Sequence, residues 1–401
     1  MPPSNGGILT INGGSSSIRF AIYDSCEKPV RLLSGKLDRI GSTSATLLIE
    51  DQTGRQRSPI QIKATDHQSA MELLLDLLET EPLFAALHTV SHRIVHGMKH
   101  TEPARVTAQL IAELHRITHF APDHLPREIS LIEAFRKRYP KLLQVACFDT
   151  AFHRTMPPIA RLLAIPRRYA SRGVERYGFH GLSYAYLIEE LHNLDPRVAQ
   201  GRVILAHLGN GASIAALHNG RSVDTSMGLT PAAGLVMSSR TGDVDPGLIG
   251  YLTRIENMTA DGFEHMANFE SGLLGVSGIS SDMRDLLAKE AASVRAAEAI
   301  ELFAYQAKKW IGSFAAVLGG IDGLVFAGGV GENAPTVRAR ICKGLAYLGI
   351  ILDKRRNSRN ASVISSDGGV VSVRVIPTNE ELMLARLAMR MPGKKRTPIG
   401  C

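Results

Sequence analysis

Cysteine is scarce: Cys26, Cys147, Cys342 and Cys401 are the four in 401 residues, far apart and without a Cys-x-x-Cys pair. Neither a disulfide framework nor a structural zinc site is indicated, and a reducing compartment fits best. Long apolar runs are missing too. The nearest, from Phe314 to Val330, is broken by Gly319-Gly320-Ile321-Asp322-Gly323 and reads as a helix end, a turn and a buried strand, too short to span a bilayer. Met1-Pro2-Pro3-Ser4-Asn5 has neither the basic start nor the apolar run of a signal peptide, so the expectation is a cytoplasmic protein with no membrane partner. Aromatic residues are only 5% of the chain, with a single tryptophan. They do not interleave with the basic clusters Arg136-Lys137-Arg138, Arg167-Arg168, Lys354-Arg355-Arg356 and Lys394-Lys395-Arg396, which therefore read as solvated surface and a basic tail; no nucleic-acid partner is expected.

What is present is the make-up of an ordinary globular protein, with 44% hydrophobic and 21% charged residues and no low-complexity tract. At about 100–200 residues per domain, the length suggests two or three domains. Lys and Arg number 46 against 38 Asp and Glu, a net charge of +8 that suits an anionic partner such as a phosphorylated small molecule.

Residues 7–49 alternate apolar segments with turn residues and predict antiparallel sheet. From about residue 67 the apolar residues Met71, Leu74, Leu75 and Leu78 recur at helical spacing, and short runs such as Leu142 to Phe148 predict buried strands, the alternation of an α/β fold. The segment from Leu9 to Ile18, with Asn12-Gly13-Gly14-Ser15-Ser16-Ser17 at its centre, is echoed about half a chain later by the segment from Leu205 to Ile214, which contains His207-Leu208-Gly209-Asn210-Gly211. Each copy reads as strand, turn, strand. The second runs on to Asn219-Gly220, a hairpin signal. A third glycine-rich turn, Gly328-Gly329-Val330-Gly331-Glu332-Asn333, follows an apolar strand and precedes a helix starting near Pro335.

Glycine lets a turn expose successive backbone N–H groups, and hydroxyl neighbours add donors, so such turns suit phosphate oxygens. None matches the P-loop or a full dinucleotide fingerprint, but three at strand ends, two related by repetition, point to a nucleotide held between two domains. Phosphoryl transfer also requires cations, an oxygen ligand for magnesium and a group to orient the acceptor. Arg93, Asp149, His180 and Arg240 all stand beside turn residues and are the candidates. A zinc pair at His92 and His96 is disfavoured, because Ser91 to Val95 reads as strand, which loses the helical i, i+4 geometry.

With these segments in hand, the sequence resembles the acetate kinase family of carboxylate kinases, within the superfamily that includes sugar kinases, actin and the chaperone ATPases. The likeness is collinear from about Leu9 to Arg386 and includes His92-Arg93-Ile94-Val95-His96-Gly97, Phe148-Asp149-Thr150, Tyr177-Gly178-Phe179-His180-Gly181, Arg240-Thr241-Gly242-Asp243 and Pro377-Thr378-Asn379-Glu380-Glu381, besides the three glycine turns. The resemblance implies two duplicated ribonuclease-H-like α/β domains of the actin-like ATPase type flanking a hinged nucleotide cleft. Their expected extents are 1–150 plus 384–401, with the first phosphate hairpin and the C-terminal helix, and 151–383. It implies ATP-dependent, reversible phosphorylation of a short-chain carboxylate, with acetate as the expected acceptor, and a homodimer.

By the same resemblance, Asn12 and Glu380 hold Mg2+ (or Mn2+), and Asp149 orients the acceptor. Arg93 and Arg240 bind the acceptor carboxylate and the transferring oxygens, and His180 donates a hydrogen bond to the same group. ATP or ADP is expected on Ser15, Ser17, Arg19, His207, Leu208, Gly209, Asn210 and Gly211, with Asp282, Met283, Arg284, Gly329, Val330, Gly331, Glu332 and Asn333 on the adenosine side. Val95, His124, Phe179 and Pro231 join Arg93 around the acceptor. The sequence departs from the family in three places. Arg19 stands where Lys is usual, Met98-Lys99 follows Gly97 where Gly-Glu is usual, and Asp123 replaces a Leu of the pocket wall. An ionised carboxylate there is costly to desolvate and repels an anion. Either Asp123 turns outward or pairs with a cation, leaving an acetate-like pocket, or it serves a propionate-type or polar-substituted acid. An actin- or chaperone-like ATPase switch and a sugar kinase are the competing classes.

Overall fold

A computed structural model describes residues 6–14 and 17–391. The chain divides into two compact units, one made of the residues up to Ala151 together with those from Asn379, the other of Phe152–Thr378.

The first unit carries an eight-stranded sheet of β1 (Gly7–Gly13), β2 (Ser17–Asp24), β3 (Arg31–Asp38), β4 (Thr46–Asp51), β5 (Ile60–Gln61), β6 (Leu87–Ile94), β7 (Ala104–Arg105) and β8 (Leu143–Phe148), in the order β5-β4-β3-β2-β1-β6-β8-β7. β1 to β5 form an antiparallel meander, whereas β6 runs parallel to β1 and β8 parallel to β6. Parallel neighbours need crossovers, and the helices His67–Thr80 and Leu125–Arg138 lie in those connections. Leu74, Leu78 and Phe135 from them pack with Leu9, Phe20, Leu33 and Val90 of the sheet in one buried cluster.

The second unit repeats the plan with β9 (Arg202–Leu208), β10 (Ala212–His218), β11 (Arg221–Thr225), β12 (Gly323–Ala327) and β13 (Ser372–Val375), in the order β11-β10-β9-β12-β13. Three antiparallel strands are again followed by two parallel ones. The order therefore matches β3-β2-β1-β6-β8 strand for strand, which makes the internal repeat of the sequence a repeat of structure. Asn219 and Gly220 both have positive φ, 52° and 72°, as the hairpin signal requires. The long helix Val294–Leu318 buries Ala296, Ile300, Phe303, Ala307, Ile311 and Phe314 at helical spacing and packs against β9 and β10.

The third glycine turn differs from expectation in one respect. Gly328–Asn333 is itself a short helix, followed by a second one, Pro335–Cys342. Cys147 and Cys342 are free and buried, whereas Cys26 is disulfide-bonded, which the cysteine spacing does not announce. Among the described residues no helix is long and apolar enough to cross a membrane.

Arg338 is fully buried, and among the described residues no carboxylate is bonded to it. Its guanidinium donates to Asn357 Oδ1 and O, to the carbonyls of Gly331 and Glu332 at 2.8 and 2.9 Å, and to Asn360 Oδ1 at 2.6 Å. It thereby fixes the end of the Gly328–Asn333 helix. Arg338→Leu leaves these acceptors unpaired in the interior, and the expected loss in urea unfolding is about 3 kcal/mol.

Candidate active site

In the second unit the predicted residues gather around one turn. β9 and β10 are joined through Leu208-Gly209-Asn210-Gly211-Ala212, closed by the Gly209 N–H donating to the Gly211 carbonyl at 3.0 Å. A Cβ at Gly211 would lie 3.0 Å from His180 Nε2 and 3.7 Å from Arg240 Nη1. The glycine therefore lets an imidazole and a guanidinium close on the turn together. His180 has φ 59°, a left-handed conformation unusual for a residue with a side chain, at the start of helix Gly181–Leu194. Its ring stacks on that of His207 with centroids 4.4 Å apart. Arg240 Nη1 donates to the Pro231 carbonyl at 3.4 Å, and the neighbouring Ser238 N–H bonds the Asn210 carbonyl at 3.2 Å.

The Gly328–Asn333 helix meets the same turn from behind. Gly328 has φ 76°, and a Cβ there would lie 2.7 Å from Leu208 O, so no other residue fits without backbone movement. The Glu332 carboxylate accepts the N–H groups of Gly328 and Thr378 at 2.8 and 3.0 Å, and Asn333 Nδ2 donates to the Gly329 carbonyl. Both side chains thus pin the turn. Asp282 caps helix Met283–Lys289 and pairs with Arg284, whose side chain is 88% exposed, while Met283 is buried. The bonds of that trio stay local.

In the first unit Arg93, near the end of β6, meets Asp149, just past the end of β8. Nε and Nη2 donate to Asp149 Oδ2 at 3.0 and 2.6 Å, and Nη1 reaches Asn12 Oδ1 at 3.3 Å. Asn12 Nδ2 in turn donates to Glu380 Oε2 at 2.9 Å and to Glu381 Oε1 at 3.4 Å. Burial disfavours the Arg93 charge, but Asp149 and Glu380 outweigh it and hold the guanidinium firmly protonated. Burial and the adjacent Glu380 carboxylate raise Glu381. Among the described residues no group of three or more His, Cys, Asp or Glu could hold a metal. Asn12 offers an amide oxygen, here accepting from Arg93, and Glu380 a carboxylate; both are hard donors of the kind Mg2+ takes alongside phosphate and water oxygens, so the residue types present fit such an ion.

The rest of the first-unit candidates fall into place more loosely. Val95 is buried, and its N–H donates to Glu128 Oε2 at 3.0 Å. Asp123 and His124 are half-buried in the turn before helix Leu125–Arg138. Ser17 opens β2, and its carbonyl accepts the Gly14 N–H at 2.7 Å. Arg19 is exposed, and its charge partly offsets the burial that raises Glu381. Ser15 lies outside the described residues. His92 is on β6 and His96 beyond its end, so the helical zinc-pair geometry does not form.

A family model described as the acetokinase family matches residues 7–386. The chain belongs to that family. As a member it is an ATP-dependent kinase whose phosphate acceptor is a carboxylate, with ATP and ADP as its nucleotide co-substrates. It is 44% identical over 391 residues to the acetate kinase of Rhodopseudomonas palustris strain TIE-1, covering 96% of this chain and 98% of that one. It is 42% identical to the propionate kinase of Citrobacter rodentium, covering 98% of both. A solved propionate kinase from Francisella tularensis superposes with a TM-score of 0.89 at 34% identity over 95% of this chain and 98% of that one. These likenesses place the acetokinase among two-domain proteins of the actin-like ATPase type.

Sequence reading missed Glu128, Glu381, Ser213 and Tyr184 among the groups that support the site. Glu381 had a visible signal, being a second acid beside Glu380. Glu128 had none, since it is one polar residue in the first turn of a helix, where acids are common.

Glu128 is 3% exposed, and its Oε1 has no hydrogen-bond partner among the described residues. Burial pushes its carboxyl from the ordinary 4.5 up to about 8, only partly countered by Arg93 and the Val95 N–H. The folded state therefore binds this proton more tightly than the unfolded chain. The stabilisation is complete below pH 4.5 and is lost as pH rises through 8. Glu128→Gln keeps the oxygen that accepts the Val95 N–H. The expected outcome in thermal melts across this range is a flatter profile, with the variant more stable than the parent above pH 8.

Proposed function

We propose that this acetokinase transfers the γ-phosphate of ATP directly and reversibly to acetate, forming acetyl phosphate. The observation that carries the reading is the closure of His180 and Arg240 on Gly211, which puts an imidazole Nε2 and a guanidinium beside a glycine turn of the kind that suits phosphate oxygens. A nucleotide-driven switch with no acceptor has no need of that pair.

A carboxylate is already a nucleophile at neutral pH, so no base is required. Its oxygen attacks the γ-phosphorus as the bond to the β-γ bridging oxygen breaks. Alignment and charge neutralisation in a water-excluded site supply the rate. We assign Arg240 and His180 to the transferring phosphoryl group, and the His207–Gly211 turn to the phosphates. Gly329, Val330 and Gly331 belong to the nucleotide side, with Glu332 and Asn333 supporting their backbone. Arg93, held by Asp149, binds the acceptor carboxylate. Asn12 and Glu380 are assigned to Mg2+ (or Mn2+), which when bound offsets the charge of the β- and γ-phosphates.

Val95, Phe179 and Pro231 are assigned to the acceptor's methyl group. Among the described residues Asp123 has no hydrogen-bond or ion-pair partner and remains partly exposed. It therefore keeps its water, which favours acetate over a polar-substituted acid. Propionate is the second reading, because one methylene changes binding by only about 1–3 kcal/mol. A second copy of the chain is the proposed partner. Helix Gly247–Glu256 buries none of its residues and leaves Tyr251 and Ile255 54% and 64% exposed, an apolar face suited to a dimer contact. We place the enzyme in the cytoplasm, where ATP is supplied.

Incubation with Mg-ATP and acetate, propionate, butyrate or lactate, with hydroxylamine to trap acyl phosphate, is expected to give acetyl hydroxamate in the highest yield. ADP release without any hydroxamate sinks the proposal. Arg93→Ala and Arg240→Ala are each expected to lose at least ~100-fold in kcat while still binding ATP. Asp123→Leu is expected to leave the order of acids unchanged, and a swing from lactate toward acetate would show that Asp123 serves a polar substrate group.

A further inference from the structure

Behind His180 lies a chain of hydroxyl groups on the strand and helix that flank the turn. His180 Nδ1 is 2.8 Å from Ser213 Oγ on β10, and Ser213 Oγ is 2.5 Å from the phenol oxygen of Tyr184. Tyr184 sits one helical turn after His180, its N–H donating to the His180 carbonyl at 3.0 Å. Both hydroxyl residues are 0% exposed. Ser213 faces His207 in the β9–β10 register, and the His207 backbone N–H bonds the Tyr184 phenol oxygen.

Proton accounting fixes the direction of this chain. Burial holds the Tyr184 phenol protonated, although its bonds with Ser213 and His207 pull the other way. Its oxygen already accepts from the His207 N–H, so among the described residues its proton can go only to Ser213 Oγ. Ser213 then spends its own proton on His180 Nδ1. In the other tautomer, Nδ1–H and the phenol would both point at Ser213 Oγ, leaving the serine proton buried without an acceptor, which native interiors avoid. From this we infer that Tyr184 and Ser213 are positioning residues that fix His180 in the tautomer whose Nε2 carries the proton, beside Gly211 and Arg240. The inference rests on the reading of His180 as a hydrogen-bond donor to the reacting group and adds what makes it one.

The fixed tautomer is a neutral donor, so His180 adds direction to the positive charge of Arg240 without adding a second cation. It also explains why a non-glycine residue is kept at φ 59°. The backbone places Nδ1 against β10, and the ring can serve the turn only through its far nitrogen.

The test uses full-length enzyme labelled with 15N in its histidines. Long-range proton–nitrogen spectra report each ring's tautomer, and His180→Gln identifies the His180 signals. The parent is expected to show a protonated Nε2 and a bare Nδ1. Ser213→Ala and Tyr184→Phe are expected to admit the other tautomer and lower kcat roughly tenfold, with KM for ATP within about twofold of the parent. Ser213→Thr, which keeps the hydroxyl, is expected to restore both tautomer and rate. If His180→Ala is crippled but Ser213→Ala and Tyr184→Phe keep the protonated Nε2, or keep full kcat, the positioning role is overturned while the role of His180 stands. If His180→Ala turns over at the parental rate, the reading of His180 fails and this inference falls with it. Should Tyr184→Phe not fold, Ser213→Ala and Ser213→Thr decide the question alone.

Discussion

The second unit depends on one close approach, that of Gly328 to the backbone of Leu208, where a Cβ would sit 2.7 Å from a carbonyl oxygen. β9 and β12 run parallel, with Ala327 opposite His207, so their turns leave the sheet at the same end. Only the missing side chain lets those two turns touch. Everything grouped there follows from that contact: Glu332 gathers the N–H groups of Gly328 and Thr378, and Arg338 ties off the carbonyls of Gly331 and Glu332. A turn that presents backbone N–H groups needs such bracing, because loose ones would swing out to water.

The first unit meets a different constraint, which is to keep Arg93 charged in a largely buried place. Asp149 supplies the matching charge, Asn12 the dipole and Glu380 a longer-range field. Glu128, close enough to feel both Arg93 and Asp149, stays protonated at neutral pH instead of adding a further anion. Arg93 is thus held by two carboxylates while the third acid nearest it stays neutral.

Local chemistry made much of this legible in the sequence. The repeated strand-turn-strand segments, the Asn219-Gly220 hairpin and the buried run ending at Phe148 all formed as their patterns require, because each is decided within about ten residues. Arg93, Asp149, His180 and Arg240 stood out as a set, because each stands beside turn residues and together they supply the cations and the orienting group that phosphoryl transfer requires. What did not show were groups whose meaning comes from register. Ser213 reads as one more small residue on a buried strand until β9 and β10 are paired and Tyr184 is brought over it. Arg338 reads as the polar side of a helix, and only packing against Asn357 reveals that it is interior. The glycine turn that became the Gly328–Asn333 helix was misread for a related reason: three glycines lower helix propensity, and tertiary bonds to Glu332 and Arg338 override it.

The first unit is discontinuous in sequence, and helix Glu380–Arg390 completes it by packing on β1, β2, β6 and β8, with Ser91 Oγ bonded to the Leu384 carbonyl. On the ribosome the second unit, an unbroken segment, emerges whole and can fold while the first still lacks that helix. β1 and β6 must wait with an uncovered apolar face until the polypeptide beyond Thr378 has been made. Asn12 finds Glu380 only then. A message cut short before that point yields a protein whose second unit is complete and whose Asn12 lacks its Glu380 partner, so translation itself decides that the first unit, begun first, is the last to be finished.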